Sequence, residues 1–268
     1  MSADFRLLVP STGFDMIEDM KALMKFLADP SFSETHLPAG ISLDFTRIGV
    51  AGVSGGGYAA RAIAIYGEPK PRAVFLMYAG GGGFLSDFWV AEKGDSFFGP
   101  YPPVPRAAVT HLLDKPTPPS SESAVLLSAE GFTDEQNRIP LLMYLWRTGE
   151  FLDYVLGEPV SAKLRALPLS ERPAAVPEHL RPALLETQMD ASFPPTFLVH
   201  GDADSMLPLS ESQQTYQRLR ELGVKAEMEI VSGGEHQLLV KGWPLEFCPG
   251  AAEAHQKGMQ FLFRELGV

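Results

Sequence analysis

Cysteine is nearly absent from this sequence: Cys248 is the single one in 268 residues. No intrachain disulfide can form, and nothing points to an oxidising compartment. Basic charge is scarce too. Lys and Arg number 22 against 33 Asp and Glu, a formal net charge of −11, which argues against nucleic acid and anionic membrane surfaces as partners. No apolar run reaches membrane-spanning length, and Met1-Ser-Ala-Asp-Phe-Arg6 has no basic stretch followed by an apolar one. A cytoplasmic protein is therefore expected. No cluster of His, Cys and carboxylates has metal-ligand spacing, so neither a metal nor a redox cofactor is expected. The glycine-rich stretch at 49–57 is followed by no Gly-Lys-Ser/Thr and contains no G-x-G-x-x-G, which removes the two common phosphate cradles. The remaining composition, 45% hydrophobic with a mean hydropathy near zero, is that of an ordinary globular protein.

What is present centres on Arg47-Ile-Gly-Val-Ala-Gly52-Val-Ser54-Gly-Gly-Gly-Tyr58. A short β-branched run leads into Gly52-Val53-Ser54-Gly55-Gly56, and a stretch of helical character continues to Tyr66. Strand, G-x-S-x-G and helix together describe a nucleophile elbow, a turn so tight that the serine takes a strained backbone and presents its hydroxyl at the carboxyl edge of a sheet. Glycines 52, 55 and 56 are expected to let neighbouring backbone pass. The helix behind Ser54 aims its amino-terminal dipole at developing negative charge. The bland alternative is a glycine-rich strand–helix turn with no chemistry.

Around this elbow the pattern alternates strands with helices. Phe5–Val9 reads as a strand, and Asp15 with Glu18 as a capping box for a helix whose apolar face runs Met16, Ile17, Met20, Leu23, Met24 and Leu27. Residues 31–44 read as a loop. Ala73–Tyr78, apolar throughout and closed by Gly80–Gly83, reads as a buried parallel strand. From 84 to 195 the chain is rich in proline and aromatics and shows helical patches without a convincing strand. The expected organisation is thus a core of 1–83 and 196–268 with an inserted helical cap at 84–195. Trp89, Phe97, Phe98, Tyr101, Tyr144, Trp146 and Phe151 either line an apolar pocket or form the cap's own core. Regular order returns with Thr196–His200, a helix from Ser210 to Leu222, the alternating strand Ala226–Val231 and a last helix from Ala251 to Leu266. The fold class is α/β, a mostly parallel sheet covered on both sides.

A serine is a weak nucleophile without a base and a group to orient that base. Of six histidines, His236 follows a strand in the glycine-containing loop Ser232-Gly-Gly-Glu-His236, where an imidazole can reach the sheet edge. His200 ends a strand and is read as a structural hydrogen-bonding residue. Asp204, four residues beyond His200, is favoured as the acid over Asp202, which sits in the turn directly after the strand. The order Ser54, Asp204, His236 is that of α/β-hydrolases.

These stretches resemble the α/β-hydrolase superfamily, nearest its esterase/lipase (hormone-sensitive-lipase-like) and prolyl-oligopeptidase-like branches. Asp4-Phe5-Arg6-Leu7-Leu8 is similar to the "DYRL" strand of the esterase branch. Asp44–Gly56 is similar to its nucleophile stretch, and His200–Pro208 and Gly234-Glu-His236 to its acid and histidine loops. The resemblance does not extend to the cap. The resemblance implies the α/β-hydrolase fold, a Ser54–His236–Asp204 triad and ester hydrolysis, with Gly55 N–H as an oxyanion donor. In one respect the chain departs from the pattern. Such esterases place further strands and a His-Gly-Gly oxyanion loop before the "DYRL" strand, which here begins at residue 4. Ser11-Thr12-Gly13 and Gly80–Gly83 are the remaining candidates for oxyanion donors, and losing one donor costs on the order of 10²–10³ in rate. A sheet shortened in this way leaves an unpaired edge, which pairing with a second copy of the chain would cover. The expected function is a serine hydrolase that cleaves a small-molecule carboxylic ester with an apolar moiety through an acyl-enzyme. A small peptidase, and a catalytically weak or inactive binding protein on a hydrolase scaffold, are the alternatives.

Overall fold

The computed structural model describes residues 1–95, 97, 102–114, 117–123, 125–128, 131–134, 136, 138–242 and 244–268, with backbone alone for 125–128 and 131–134. Phe98 and Tyr101, two of the expected cap aromatics, lie outside the described residues. In chain order the elements are α1 (Gly13–Leu27), α2 (Phe32–His36), β1 (Gly49–Val53), α3 (Gly56–Tyr66), β2 (Ala73–Met77), α4 (Asp87–Val90), α5 (Arg106–Leu113), β3 (Val125–Ser128), β4 (Gly131–Asp134) and α6 (Arg138–Thr148). There follow α7 (Phe151–Leu156), α8 (Ser161–Arg165), α9 (Arg172–Ala175), α10 (Leu185–Gln188), β5 (Thr196–Gly201), α11 (Ser210–Glu221), β6 (Ala226–Val231) and α12 (Ala251–Leu266). The chain divides into two compact units, 17–83 with 185–268, and 1–16 with 84–184. This division departs from the expected boundaries at both ends, since residues 1–16 join the second unit and 185–195 the first.

In the first unit four strands pair in parallel in the order β1-β2-β5-β6. The apolar runs of β2 and β5 suit the two central positions, where both faces are covered. Alternate residues then divide between two layers. Ala73, Phe75, Phe197 and Val199 pack under Ala251, Ala254, Phe261 and Leu262 of α12. Val74, Leu76 and Leu198 pack on the opposite side with Ala60 and Ala64 of α3 and Leu219 of α11. A side chain at Gly258 of α12 would stand 2.2 Å from the Phe75 ring, so a glycine there lets helix and sheet close. β6 is an outer strand, but its burial does not follow the expected alternation: its ends Ala226 and Val231 are buried, whereas Glu227 and Ile230 are exposed. β1, whose residues are largely exposed, is the opposite edge.

Residues 5–9 form no strand. Leu8 makes one isolated bridge to Ser11, Leu7 N–H donates to Ser120 O, and Val9 sits at φ 61°, outside the extended region that a ladder needs. The segment is held instead by Arg138, whose guanidinium donates to the carbonyls of Leu8 and Val9. Helix α1 starts two residues before the expected cap. Asp15 Oδ2 accepts from both N–H and Oγ1 of Thr12, so Thr12 and Asp15 make the cap and Glu18 pairs with Lys21. A short helix, α2, occupies part of the expected 31–44 loop.

In the second unit the described aromatics pack on one another. Trp89 meets Phe84, Trp146 and Phe151 with ring centroids 4.8, 5.6 and 4.7 Å away, and all four rings are buried. They are the unit's own core. Its many irregular segments are tied by arginines: Arg172 donates to the carbonyls of Leu164, Leu167 and Leu85 and to Asp87 Oδ1. The unit also contains an antiparallel hairpin, β3 with β4, where no strand is expected from the sequence. Each arm has four residues, too few for a period of two to emerge from its flanks.

Candidate active site

Ser54 follows β1 directly and takes φ 52°, a left-handed conformation that costs a non-glycine residue about 1–2 kcal/mol. The turn is over-determined by its surroundings. Ser54 N–H continues the sheet ladder to Met77 O, and Ser54 O accepts from Gly57 and Gly80 N–H. The glycine requirement is distributed differently from expectation. A Cβ on Gly52 would lie 2.6 Å from Ala60 Cβ, and one on Gly57 2.4 Å from Ala79 Cβ, whereas Gly55 and Gly56 face open space. It is the crossing of β1, α3 and the residues after β2 that needs glycine, at 52 and 57. Gly55 N–H has no acceptor among the described residues, so it is available to a ligand at the head of α3.

Two loops bring the other polar groups to this turn. Residues after β5 carry Asp204, and residues after β6 carry His236. The loops touch backbone to backbone: Ala203 N–H donates to Gly234 O, and Asp202 N–H to Val231 O. Asp202 Oδ1 accepts from Gly233 N–H at 2.6 Å, so the competing aspartate braces the histidine loop. Gln237 and Leu238 turn the chain with φ of 66° and 59°. The outcome is a hydrogen-bonded line. Ser54 Oγ lies 2.8 Å from His236 Nε2, and His236 Nδ1 lies 2.8 Å from Asp204 Oδ2.

Burial of Asp204 would push its carboxyl up, but hydrogen bonds from His200 and His236, the His236 charge and the Leu207 N–H outweigh it and bring it down to about 2. A carboxylate at neutral pH accepts only, so His236 Nδ1 carries a proton and Nε2 is left to accept from Ser54 Oγ–H. The linked stability has a definite sign. It is present above the ordinary value of 3.8 and is lost as pH falls through about 2. The Tyr78 ring meets His236 edge to face at 5.1 Å, and its phenol is pushed up by burial and by Asp204. Tyr78 too has a positive φ, 38°, at the end of β2.

The close approach of the two loops makes Gly201 a sensitive position. An added Cβ would stand 1.9 Å from Gly234 O. Gly201→Ala should therefore push the histidine loop from the acid loop and lower any turnover that depends on the Ser54–His236–Asp204 line on the order of 10²-fold. Turnover within threefold of wild type would contradict this.

Gly80–Gly83 supplies no oxyanion donor. The N–H groups of Gly81, Gly82 and Gly83 converge on Glu211 Oε2 at 2.9, 2.7 and 3.2 Å, and that of Gly80 donates to Ser54 O. Ser11-Thr12-Gly13, the other candidate, belongs to the second unit. Two residues that the sequence did not mark for the site are engaged at it: His200, which reaches Asp204, and Glu235, whose Oε2 accepts from Ser205 N–H. The spacing of His200 and Asp204, four residues apart around a glycine turn, was the available signal for the first. No group of three His, Cys, Asp or Glu able to hold a metal occurs among the described residues. No helix among them is long and apolar enough to cross a membrane.

The prolyl oligopeptidase family matches residues 175–243, the stretch that carries Asp204 and His236. Over 238 residues, 81% of this chain, the sequence is 29% identical to the non-reducing polyketide synthase Preu6 of Preussia isomera. Over 247 residues, 84% of this chain, it is 26% identical to methylphloroacetophenone synthase of Cladonia uncialis. The chain spans about a tenth of the length of these curated relatives: 10% and 9%. Among solved structures, a puromycin-hydrolyzing peptidase of Mycobacterium tuberculosis aligns with 97% of this chain at a TM-score of 0.53 and 14% identity, the match covering 26% of that protein. An acetyl ester-xyloside bifunctional hydrolase of Caldicellulosiruptor lactoaceticus aligns with 96% at 0.50 and 17% identity, covering 68% of that chain. The four parallel strands with helices on both faces, and the likeness to these structures, show that the chain has the α/β-hydrolase fold.

Proposed function

We propose that the protein is a serine hydrolase that cleaves a carboxylic ester with an apolar acyl or alcohol part. The observation that carries the proposal is the line Ser54 Oγ, His236 Nε2, His236 Nδ1, Asp204 Oδ2, with 2.8 Å at both hydrogen bonds. In this mechanism Ser54 Oγ attacks the carbonyl carbon while its proton passes to His236 Nε2. The imidazolium is held by Asp204, and the oxyanion of the tetrahedral adduct accepts from Gly55 N–H. Collapse breaks the carbon–oxygen bond of the leaving alkoxide, which takes the proton from Nε2. Water then gives its proton to Nε2 and attacks the acyl-Ser54 ester, and the reverse transfer frees the serine and the carboxylic acid. An apolar substrate part suits the Tyr78 ring and exposed Val53 beside the serine.

The test is a fluorophosphonate probe followed by intact mass, with turnover of short p-nitrophenyl esters. One phosphonyl adduct per chain and ester turnover are expected. Folded protein that takes no label would overturn the proposal and favour the inactive binding scaffold. Turnover of a peptide p-nitroanilide well above that of the ester would favour the peptidase, for which the match at 175–243 speaks.

A second proposal follows from the similarity to polyketide synthases over most of this chain: the acyl group is a polyketide. The same serine attack serves a thioester as well as an ester, since a thiolate leaves more readily than an alkoxide. Faster acylation of Ser54 by an aromatic acyl thioester than by the acetyl thioester of the same thiol is the expected sign, and equal or slower acylation would count against it.

The pH dependence has one expected shape. Activity should show no carboxyl limb on the acid side. Asp204, held at about 2, stays ionised throughout the ordinary carboxyl range. An acid limb in that range, between about pH 3 and about pH 5, would refute this assignment.

A further inference from the structure

The hydrogen-bonded line does not stop at Asp204. Its Oδ2 lies 3.2 Å from His200 Nε2 as well as 2.8 Å from His236 Nδ1, and the side chains of Asp204 and His200 are both fully buried. His200 Nε2 also lies 3.0 Å from Leu207 O, and Nδ1 lies 2.8 Å from Ser212 Oγ. Both partners of Nε2, a carbonyl and a carboxylate, accept only. Nε2 therefore carries a proton, donated to Leu207 O and facing Asp204 Oδ2, and Nδ1 accepts from the buried Ser212 hydroxyl on α11. The tautomer is set from both sides of the ring. Asp204 Oδ1 is anchored separately, by the N–H groups of Met206 and Leu207 at 2.9 Å each.

We propose that His200 is a positioning residue for this reaction: by donating to the carboxylate oxygen that His236 uses, it holds that oxygen in place and sets the basicity of His236. The proposal rests on the Ser54–His236–Asp204 assignment. A donor on a carboxylate oxygen stabilises its charge and weakens the field it exerts on a second partner. Without His200 the two N–H bonds to Oδ1 still orient the group, and Oδ2 turns more of its charge on His236. The imidazolium becomes more stable, so more of the base is protonated at a given pH. Asp204 is faced by His200, His236 and the Tyr78 phenol; His236 by Asp204, Ser54 and Tyr78. His200 is faced by Asp204 and Ser212, with Glu211 next along α11 and bound to Gly81–Gly83. Glu235 meets the acid loop at Ser205 N–H.

The experiment is the rate of fluorophosphonate labelling from about pH 5 to about pH 9 for wild type, His200→Leu and His200→Gln. In His200→Leu the acid limb should move to higher pH by about half a unit or more. His200→Gln, whose amide N–H reaches the same oxygen, should restore the wild-type limb. A folded His200→Leu protein with an unmoved limb overturns the proposal. A second readout needs no activity: the downfield proton resonance of His236 Nδ1–H, assigned by its loss in His236→Ala. It should shift in His200→Leu and in Ser212→Ala, which removes the partner of His200 Nδ1. An unchanged resonance in Ser212→Ala overturns the proposal even where the leucine variant folds poorly. Failure of the Ser54 assignment appears separately, as absent labelling in wild type or labelling that survives Ser54→Ala, and the resonance still decides the role of His200.

Discussion

Ser54→Ala should lower kcat for a p-nitrophenyl ester by roughly 10⁴–10⁶-fold and leave KM within a few fold, with no adduct from a fluorophosphonate. The hydroxyl that forms the covalent bond is gone, whereas the groups that hold substrate remain. The loss cannot be replaced by His236 alone, because the imidazole is tied at Nδ1 to Asp204 and has only Nε2 to offer. Any residual turnover would reflect water activated at Nε2 and the donor at Gly55. Retention of more than a tenth of wild-type turnover would sink the assignment of the nucleophile. A companion variant separates chemistry from backbone. Ser54 sits at φ 52°, where glycine is unstrained, so Ser54→Gly should be as inactive as the alanine variant yet more stable by about 1 kcal/mol in urea unfolding. An alanine and a glycine variant of equal stability would show that the elbow stores no strain.

Glu211→Ala should destabilise the protein by about 3–5 kcal/mol. Glu211 is fully buried at the start of α11 and receives three backbone N–H groups from Gly81–Gly83. Arg61, fully buried on α3, donates to Gly80 O and to Thr215 Oγ1. Burial pushes Arg61 down to about 10, against the raising influence of Glu211 and Glu186. Removing Glu211 thus leaves three amides and one guanidinium without a charge that they were arranged around, in a place water does not reach. A chain of this size loses about 2–4 °C of melting temperature per kcal/mol, so a drop of roughly 6–20 °C is expected by scanning calorimetry. Glu211→Gln should lose less, since an amide oxygen still accepts from the glycine N–H groups. A melting temperature within about 2 °C of wild type for the alanine variant would show that the buried cluster contributes little, as some buried ion pairs do.

The glycine run at 80–83 illustrates where sequence reasoning reaches and stops. Four consecutive glycines after a buried strand announce backbone N–H groups available for binding something, and an oxyanion was a reasonable candidate. The acceptor is a glutamate about 130 residues along the chain, and no local pattern marks Glu211 as different from Glu221, the other acidic residue of its helix. Residues 5–9 show the opposite failure. Their apolar character suits a strand, but their conformation is decided by Arg138, about 130 residues away, and by Ser120. Strand propensity describes fit to a half-buried sheet, and here no sheet neighbour is provided.

The elements of the parallel sheet were legible because their signals are short-range. Continuous apolar runs named the central strands β2 and β5, alternation named the outer strand β6, and the stop at Gly223 marked the end of α11. The same holds for Ser54, Asp204 and His236, each of which sits in a loop leaving a recognisable strand at its carboxyl end. Parallel connection places all three loops on one edge of the sheet, so chain order alone brought the candidates together.

What the sequence by itself determined is therefore the α/β class, the positions of the sheet strands and the three polar residues at their ends. Only the tertiary structure decided which glycines the elbow requires, that Asp202 braces a loop, that Gly80–Gly83 binds Glu211, and that Asp204 is shared between two histidines. The physical reason is one of range. Backbone propensity and hydrophobic period act over a few residues, while hydrogen bonds among buried groups join positions that only the packed sheet and helices bring within reach of each other.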